Sequence, residues 1–176
     1  MIEIGVLDED ERIELLGGEL VVREPQGSPH HTAVGLTEDA LRAALGPGWL
    51  VRSQGPVALD DDSEPEPDVS VVAGTRRDYS REHPARPVLV VEVTASRSRL
   101  TFDRMHKGSL YARAGLADYW IVNLVENVLE IYRTPVTDDS APFGWRYALR
   151  DVLNADGSAT PLAARHARIV VRDLLP

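Results

Sequence analysis

Residues 87–123 read PVLVVEVTASRSRLTFDRMHKGSLYARAGLADYWIVN, and the two ends of this stretch decide the fold. Pro87 to Thr94 is almost continuous Val and Leu, the composition of a strand buried on both faces. One carboxylate, Glu92, interrupts it. A polar turn follows, and Thr101 supplies an N-cap with Asp103 in the favourable first turn. The helix runs to about Ala114, where Gly115 stops it. Gly108 in its middle costs about 1 kcal/mol against alanine, which predicts close packing on a neighbour. Tyr119 to Leu124 is the second apolar strand. Val125 to Asn127 turn the chain into a third strand, Val128 to Tyr132.

Upstream, Pro67 to Ala73 (PDVSVVA) is a strand with proline at its first position, where no ladder donor is needed. Asp68 sits at its start. Asp60 to Glu66 (DDDSEPE) reads as an acidic, solvated turn without the glycine-turned pattern of a calcium loop. Trp49 to Leu59 gives one or two strands, broken near Gly55-Pro56. Gly74 to Arg86 is an arginine-rich loop.

His30 to Leu45 is the first helix, ended by Gly46-Pro47-Gly48. Val34, Leu41 and Leu45 share a stripe with Glu38, and His31 lies one turn before Val34. A carboxylate on an apolar face needs a metal or an arginine as partner. A small rotation would instead bury Leu36, Ala40 and Ala43 and leave Glu38 solvated. Before that helix, Arg12 to Arg23 (RIELLGGELVVR) forms a two-stranded ribbon turning at Gly17-Gly18, and Glu24 to Pro29 is loop. Downstream, Trp145 to Arg150 and Ala167 to Val171 form a further pair, with a turn at Asn154 to Gly157.

The 176 residues suit a single domain, 1–176, with its core at about 12–133. No apolar run reaches the length of a membrane span, and the acidic start lacks a signal-peptide pattern. The expectation is a soluble cytoplasmic protein. There are no cysteines, which excludes disulfides and thiolate metal sites. The net charge of -9 argues mildly against a surface built for nucleic acid. Of 19 basic residues only Lys107 is lysine; the other 18 are arginine. A compact ammonium is not interchangeable with a planar guanidinium, so this lysine stands out.

Asp68 and Glu92 bring carboxylates into two apolar strands, which is hard to explain as core filler. Two such groups suit a hard cation such as magnesium, which polarises a phosphoryl oxygen and activates water for in-line attack. A nearby lysine stabilises the charge that develops on the phosphate. Each residue also has a bland explanation. Asp68 can cap a turn after Pro67, Glu92 can pair with a buried arginine, and Asp103 with Lys107 can be an i,i+4 helix pair. The histidines form no zinc pattern, and there is no phosphate loop, nucleophile elbow or dinucleotide fingerprint.

The blocks RIELLGGELV, the HH opening the first helix, EPDVSVV, the 87–123 stretch and VLEIYR together resemble the Uma2 (DUF820) endonuclease family, within the PD-(D/E)XK nuclease superfamily. The resemblance implies an α/β (mixed α+β) fold: a restriction-endonuclease-like mixed β-sheet flanked by helices, with an N-terminal β-hairpin. It implies a metal-dependent phosphodiesterase site with Mg2+ or Mn2+, in which Asp68 and Glu92 are catalytic metal ligands. The superfamily lysine lies two residues after the glutamate, where this chain has Thr94. The resemblance implies that Lys107 from the following helix takes that role, preceded by Asp103, and that Glu38 completes the metal site. His31 is a supporting candidate.

The leading expectation is a DNA endonuclease, with Arg76, Arg77, Arg81, Arg97 and Arg99 as phosphate contacts or, equally, solvated loop charge. The alternatives are an inactive nucleic-acid-binding or interaction module of the same fold, and a phosphodiesterase acting on RNA or nucleotides. A homodimer would place two sites for cutting both DNA strands.

Overall fold

Side-chain alternation in the central strand sets two cores. Leu89, Val91 and Val93 enter one and Val90 enters the other, so the apolar run is buried on both faces. The structure is a computed structural model and describes residues 13–23 and 25–176. Arg12 and Glu24, assigned from sequence to the ribbon and the loop after it, lie outside the described residues, as does the acidic start.

A six-stranded mixed sheet organises the chain, in the order β3 (Trp49–Ser53), β4 (Val69–Ala73), β5 (Leu89–Thr94), β6 (Asp118–Asn123), β7 (Val128–Thr137), β8 (Trp145–Leu153). Only β5 and β6 are parallel; every other neighbouring pair is antiparallel. A parallel pair needs a crossover, and a helix supplies it here. That helix runs from α2 (Arg97–Phe102) through a π-helical stretch, Asp103–Lys107, into α3 (Gly108–Arg113).

The crossover helix starts four residues before Thr101. Ser96 is the N-cap, its side chain accepting the Arg99 N–H at 3.2 Å. The Thr101 hydroxyl instead donates to the Arg97 carbonyl at 3.1 Å. Within the π stretch the Gly108 N–H reaches the carbonyl of Asp103, five residues back. Tyr119 lies beside Gly108, with a ring carbon 3.6 Å from where a Cβ would stand.

α1 (Ser28–Leu45) covers one sheet face together with β10 (Ile169–Val170) and the 3₁₀ turn Val171–Leu174. The expected pair of 145–150 with 167–171 does not form: 145–153 pairs with β7 instead, and β10 pairs antiparallel with β9 (Ser158–Ala159), a strand the sequence reading did not include. The crossover helix covers the other face and adds its own Tyr111 to a cluster with Tyr119, Tyr132 and Tyr147, whose neighbouring rings pack 5.0 to 6.1 Å apart. β7 and β8 run well beyond their expected ends because each pairs with the other along a long hairpin.

β1 (Ile13–Leu16) and β2 (Glu19–Val22) form a separate ribbon. Gly17 and Gly18 turn it with φ of +59° and +85°, the left-handed pair that a two-residue hairpin turn requires. The acidic loop 60–66 is its clamp, not a free turn. Glu64 N–H bonds the Leu15 carbonyl at 2.8 Å, and Gly18 N–H bonds the Asp62 carbonyl at 2.8 Å. Arg113 in turn holds Asp60 and Asp62 at 2.8 and 2.7 Å. The exposed carboxylate run is therefore partly countered by Arg113 and tied to both ribbon and helix.

Candidate functional site

β4 and β5 pair with Val69 opposite Val91, so the register continued by one residue sets Asp68 opposite Glu92. Asp68 is buried and well satisfied. Its Oδ2 accepts the Val93 N–H at 2.8 Å and His30 Nε2 at 3.1 Å, and its Oδ1 accepts Gln26 Nε2 at 3.2 Å. Burial works against its charge, but the His30 contacts and the Val93 N–H outweigh it and hold the carboxyl below its ordinary value.

Glu92 projects to the opposite sheet face from Val91 and Val93, toward the crossover helix. Its Oε1 accepts Lys107 Nζ at 2.9 Å and the Tyr111 hydroxyl at 2.8 Å. Burial pushes its carboxyl up to about 7; Lys107 opposes this, while Asp68, Asp103 and Glu14 reinforce it. Lys107 is fully buried, and its Nζ also reaches Glu14 Oε1 at 3.1 Å. Burial opposes the ammonium's charge, yet Glu92 and Glu14 hold its proton more tightly than usual.

Thr94 lies on the same strand face as Glu92 and donates to Asp103 Oδ2 at 2.6 Å. Asp103 pairs with Arg99 at 3.2 Å, not with Lys107. The i,i+4 reading of Asp103 with Lys107 therefore gives way to two separate sets of partners. Arg99 also lines a cavity of about 130 Å³ beside Asp68, with Arg23, Gln26, His30 and Ser96 on its walls.

The remaining candidates lie elsewhere. Glu38 accepts Arg42 Nη2 at 2.5 Å and, at 3.2 Å, the hydroxyl of Ser53, which pairs with Val69 next to Asp68; it lies about two turns along α1 from His30. The buried stripe of α1 is His30, Ala33, Val34, Thr37, Leu41 and Leu45, which leaves Glu38 at its edge and His31 exposed. Arg76 and Arg77 sit on an exposed 3₁₀ turn, Arg76–Tyr79, and Arg81 and Arg97 are also exposed.

Two buried side chains at the site carry sequence signals that lead to them. His30 belongs to the same helical stripe as Leu41, one residue away from His31. Glu14 shares the inward, period-two face of β1 with Leu16, a carboxylate on an apolar face just as Glu92 is.

The donors at Asp68 and Glu92 fit a hard divalent cation. Glu92 Oε2 accepts no hydrogen bond among the described residues, and burial first, then the neighbouring carboxylates Asp68, Asp103 and Glu14, raise its carboxyl. No group of three or more His, Asp or Glu side chains is spaced to hold a metal among the described residues. Two carboxylates, completed by water and substrate phosphate, are the usual protein share for magnesium.

The model of the Uma2 family, described as "Putative restriction endonuclease", matches residues 3–164, and the chain belongs to that family. A crystal structure from Anabaena variabilis, titled "a putative nuclease belonging to DUF820", superposes with a TM-score of 0.69 over 98% of this chain and 94% of that one. The two are 14% identical, so the likeness is one of fold. No curated protein matches the chain. Among the described residues no helix is long and apolar enough to cross a membrane.

Proposed function

We propose that this member of the Uma2 family is a divalent-metal-dependent endonuclease of the cytoplasm that hydrolyses DNA phosphodiester bonds. The observation that carries the reading is two buried carboxylates, Asp68 and Glu92, flanking the Val69–Val91 pair of two adjacent strands, with Glu92 Oε2 accepting no hydrogen bond among the described residues. Asp68 and Glu92 would hold magnesium or manganese. Such an ion, when bound, supplies Lewis-acid polarisation of the phosphoryl oxygen and a more acidic water.

The chain's own residues do the rest. His30, Gln26 and the Val93 N–H fix the direction of Asp68. Lys107 and Tyr111 fix Glu92 by one oxygen and leave the other for the cation. Arg99, steadied by Asp103, sits on the cavity wall where a non-bridging phosphate oxygen would dock. Two copies would cut both strands of a duplex; a monomeric mass in solution would remove that part of the proposal.

The test is plasmid cleavage with Mg2+ or Mn2+ by wild type, Asp68→Asn and Glu92→Gln, with RNA and a small generic phosphodiester in parallel. Wild-type cutting of DNA should fall by on the order of 10³-fold in either variant, the equivalent of several kcal/mol of charge stabilisation. Cutting that persists in both variants would reject the site. RNA cut in preference to DNA would reassign the substrate.

A second reading has its own support. Lys107 is wholly buried and Thr94 stands in the usual lysine position, features that suit a catalytically silent nucleic-acid-binding module. In that case wild type binds DNA, and Glu92→Gln abolishes metal binding but leaves DNA binding intact, with no cleavage by either.

A further inference from the structure

Glu14 is a charged side chain in the middle of β1, and it is 1% exposed. An apolar residue there would complete the inward face with Leu16 at no desolvation cost. Its surroundings show what the carboxylate adds. Oε1 receives Lys107 Nζ at 3.1 Å and the Glu66 N–H at 3.3 Å, and faces Arg23 Nε at 3.4 Å. Its other oxygen, Oε2, is buried without a hydrogen-bond partner among the described residues. A lysine head has three donors on a flexible stem and takes its direction from its acceptors. Here the acceptors come from two separate elements: Glu92 on the central strand and Glu14 on the ribbon.

We infer that Glu14 is a positioning residue of the hydrolytic site: it holds the Lys107 ammonium against Glu92, so that the docked ribbon sets the orientation of the metal-binding carboxylate. The inference rests on the reading of Asp68 and Glu92 as metal ligands. The line of action runs through contacts already given. Glu14 fixes Nζ; Nζ, with the Tyr111 hydroxyl, fixes Glu92 Oε1; the opposite oxygen is thereby aimed. The Arg23 and Glu66 contacts hold Glu14 itself, and Arg23 continues from there into the cavity beside Asp68. Partners that orient metal-binding side chains typically contribute 10–100-fold to metal affinity.

Lys107 is the only lysine, so one side chain reports on the arrangement without ambiguity. The experiment compares wild type, Glu14→Ala and Glu14→Gln in the full chain, with matched thermal unfolding curves as the folding control. An amine-acylating reagent is applied, and modification of Lys107 is read by peptide mass against the α-amino group. Mn2+ affinity is measured by calorimetry on the same samples. In wild type Lys107 should stay unmodified while the α-amino group reacts. In Glu14→Ala it should become modified, and Mn2+ affinity should fall by about 10–100-fold. Glu14→Gln keeps an acceptor oxygen at the same place and should restore most of both. Lys107 equally protected in Glu14→Ala, or unchanged Mn2+ affinity in that variant, would overturn the inference. Absence of Mn2+ binding by wild type would sink the metal reading instead, and the acylation rates would then decide by themselves whether Glu14 holds Lys107.

Discussion

Two glutamates occupy one row of the sheet and meet opposite fates. Glu92 pairs in register with Ile121, and Ile121 with Glu130, so both carboxylates face the same side with one isoleucine between them. Both are buried. Glu130 receives Arg104 at 2.5 and 3.0 Å, Arg150 at 3.0 and 3.2 Å, Tyr132 at 2.6 Å and Asn123 at 2.8 Å. Burial works against its charge, but these donors win and hold the carboxyl down at about 2. Glu92 has one ammonium, shared with Glu14, and one hydroxyl, and its carboxyl rises to about 7. Burial alone therefore does not distinguish a structural carboxylate from a reactive one. The supply of donors and of positive charge does, and on the proposed reading it is the Glu92 end of the row that takes up the cation.

The comparison breaks most easily at Lys107. Lys107→Ala leaves two buried carboxylates without their ammonium, and should destabilise the fold by about 3–5 kcal/mol. Thermal unfolding reads this as a fall of on the order of 10 °C for a chain of this size. A loss under about 1 kcal/mol would mean that water already reaches the pair.

Glu130→Gln should cost about 1.5–3 kcal/mol, the worth of hydrogen bonds to a charged group, while leaving Mn2+ affinity and cleavage as in wild type. A matching loss of metal affinity would erase the distinction between the two ends of the row.

Protonation sharpens the contrast. A free glutamate releases its proton near 4.5, whereas folded Glu92 keeps it up to about 7. Glu92 therefore takes stability away as pH rises from 4.5 to 7, and the proton competes with any cation below 7. Mn2+ affinity should fall about tenfold per pH unit below 7 and level off above it. Glu130 has the opposite sign: it stabilises above 4.5, and that contribution disappears as pH falls toward 2. A titration calorimetry series from pH 5 to pH 8, on wild type and Glu130→Gln, should give one and the same profile.

The smallest effect belongs to Glu38. Its i,i+4 pair with Arg42 is half-open to solvent, so Glu38→Ala should shift stability by about 0.5 kcal/mol or less. Unchanged Mn2+ affinity in that variant would keep Glu38 out of the metal set, and a tenfold loss would put it back.

Much of this arrangement was legible in the chain. The apolar runs of β5 and β6 announce strands buried on both faces, and a lone glutamate inside one of them marks a candidate site. What composition could not show was the rotation of α1. A shift of one residue exchanges His31 for His30, and helical periodicity alone does not resolve that. Nor was the π stretch readable, because Asp103–Lys107 has no residue type that dictates the wide turn; the partners of its two buried charges lie on other elements. The start of α2 was hidden by two serines and an arginine that read as a polar turn until Ser96 is seen as its cap. Glu14 was readable in principle, since the test applied to Glu92 applies equally to IELL.

The Glu14–Lys107 contact joins residues 93 positions apart, whereas Glu92 and Lys107 are separated by 15. Chain closure costs more, and comes later, for the longer loop. The ribbon's link to the site therefore carries the larger closure entropy of the two contacts. The β5–β6 segment can carry its own ion pair from the moment its crossover helix forms, but the second acceptor of that pair's ammonium is supplied by a piece of chain from much earlier in the sequence.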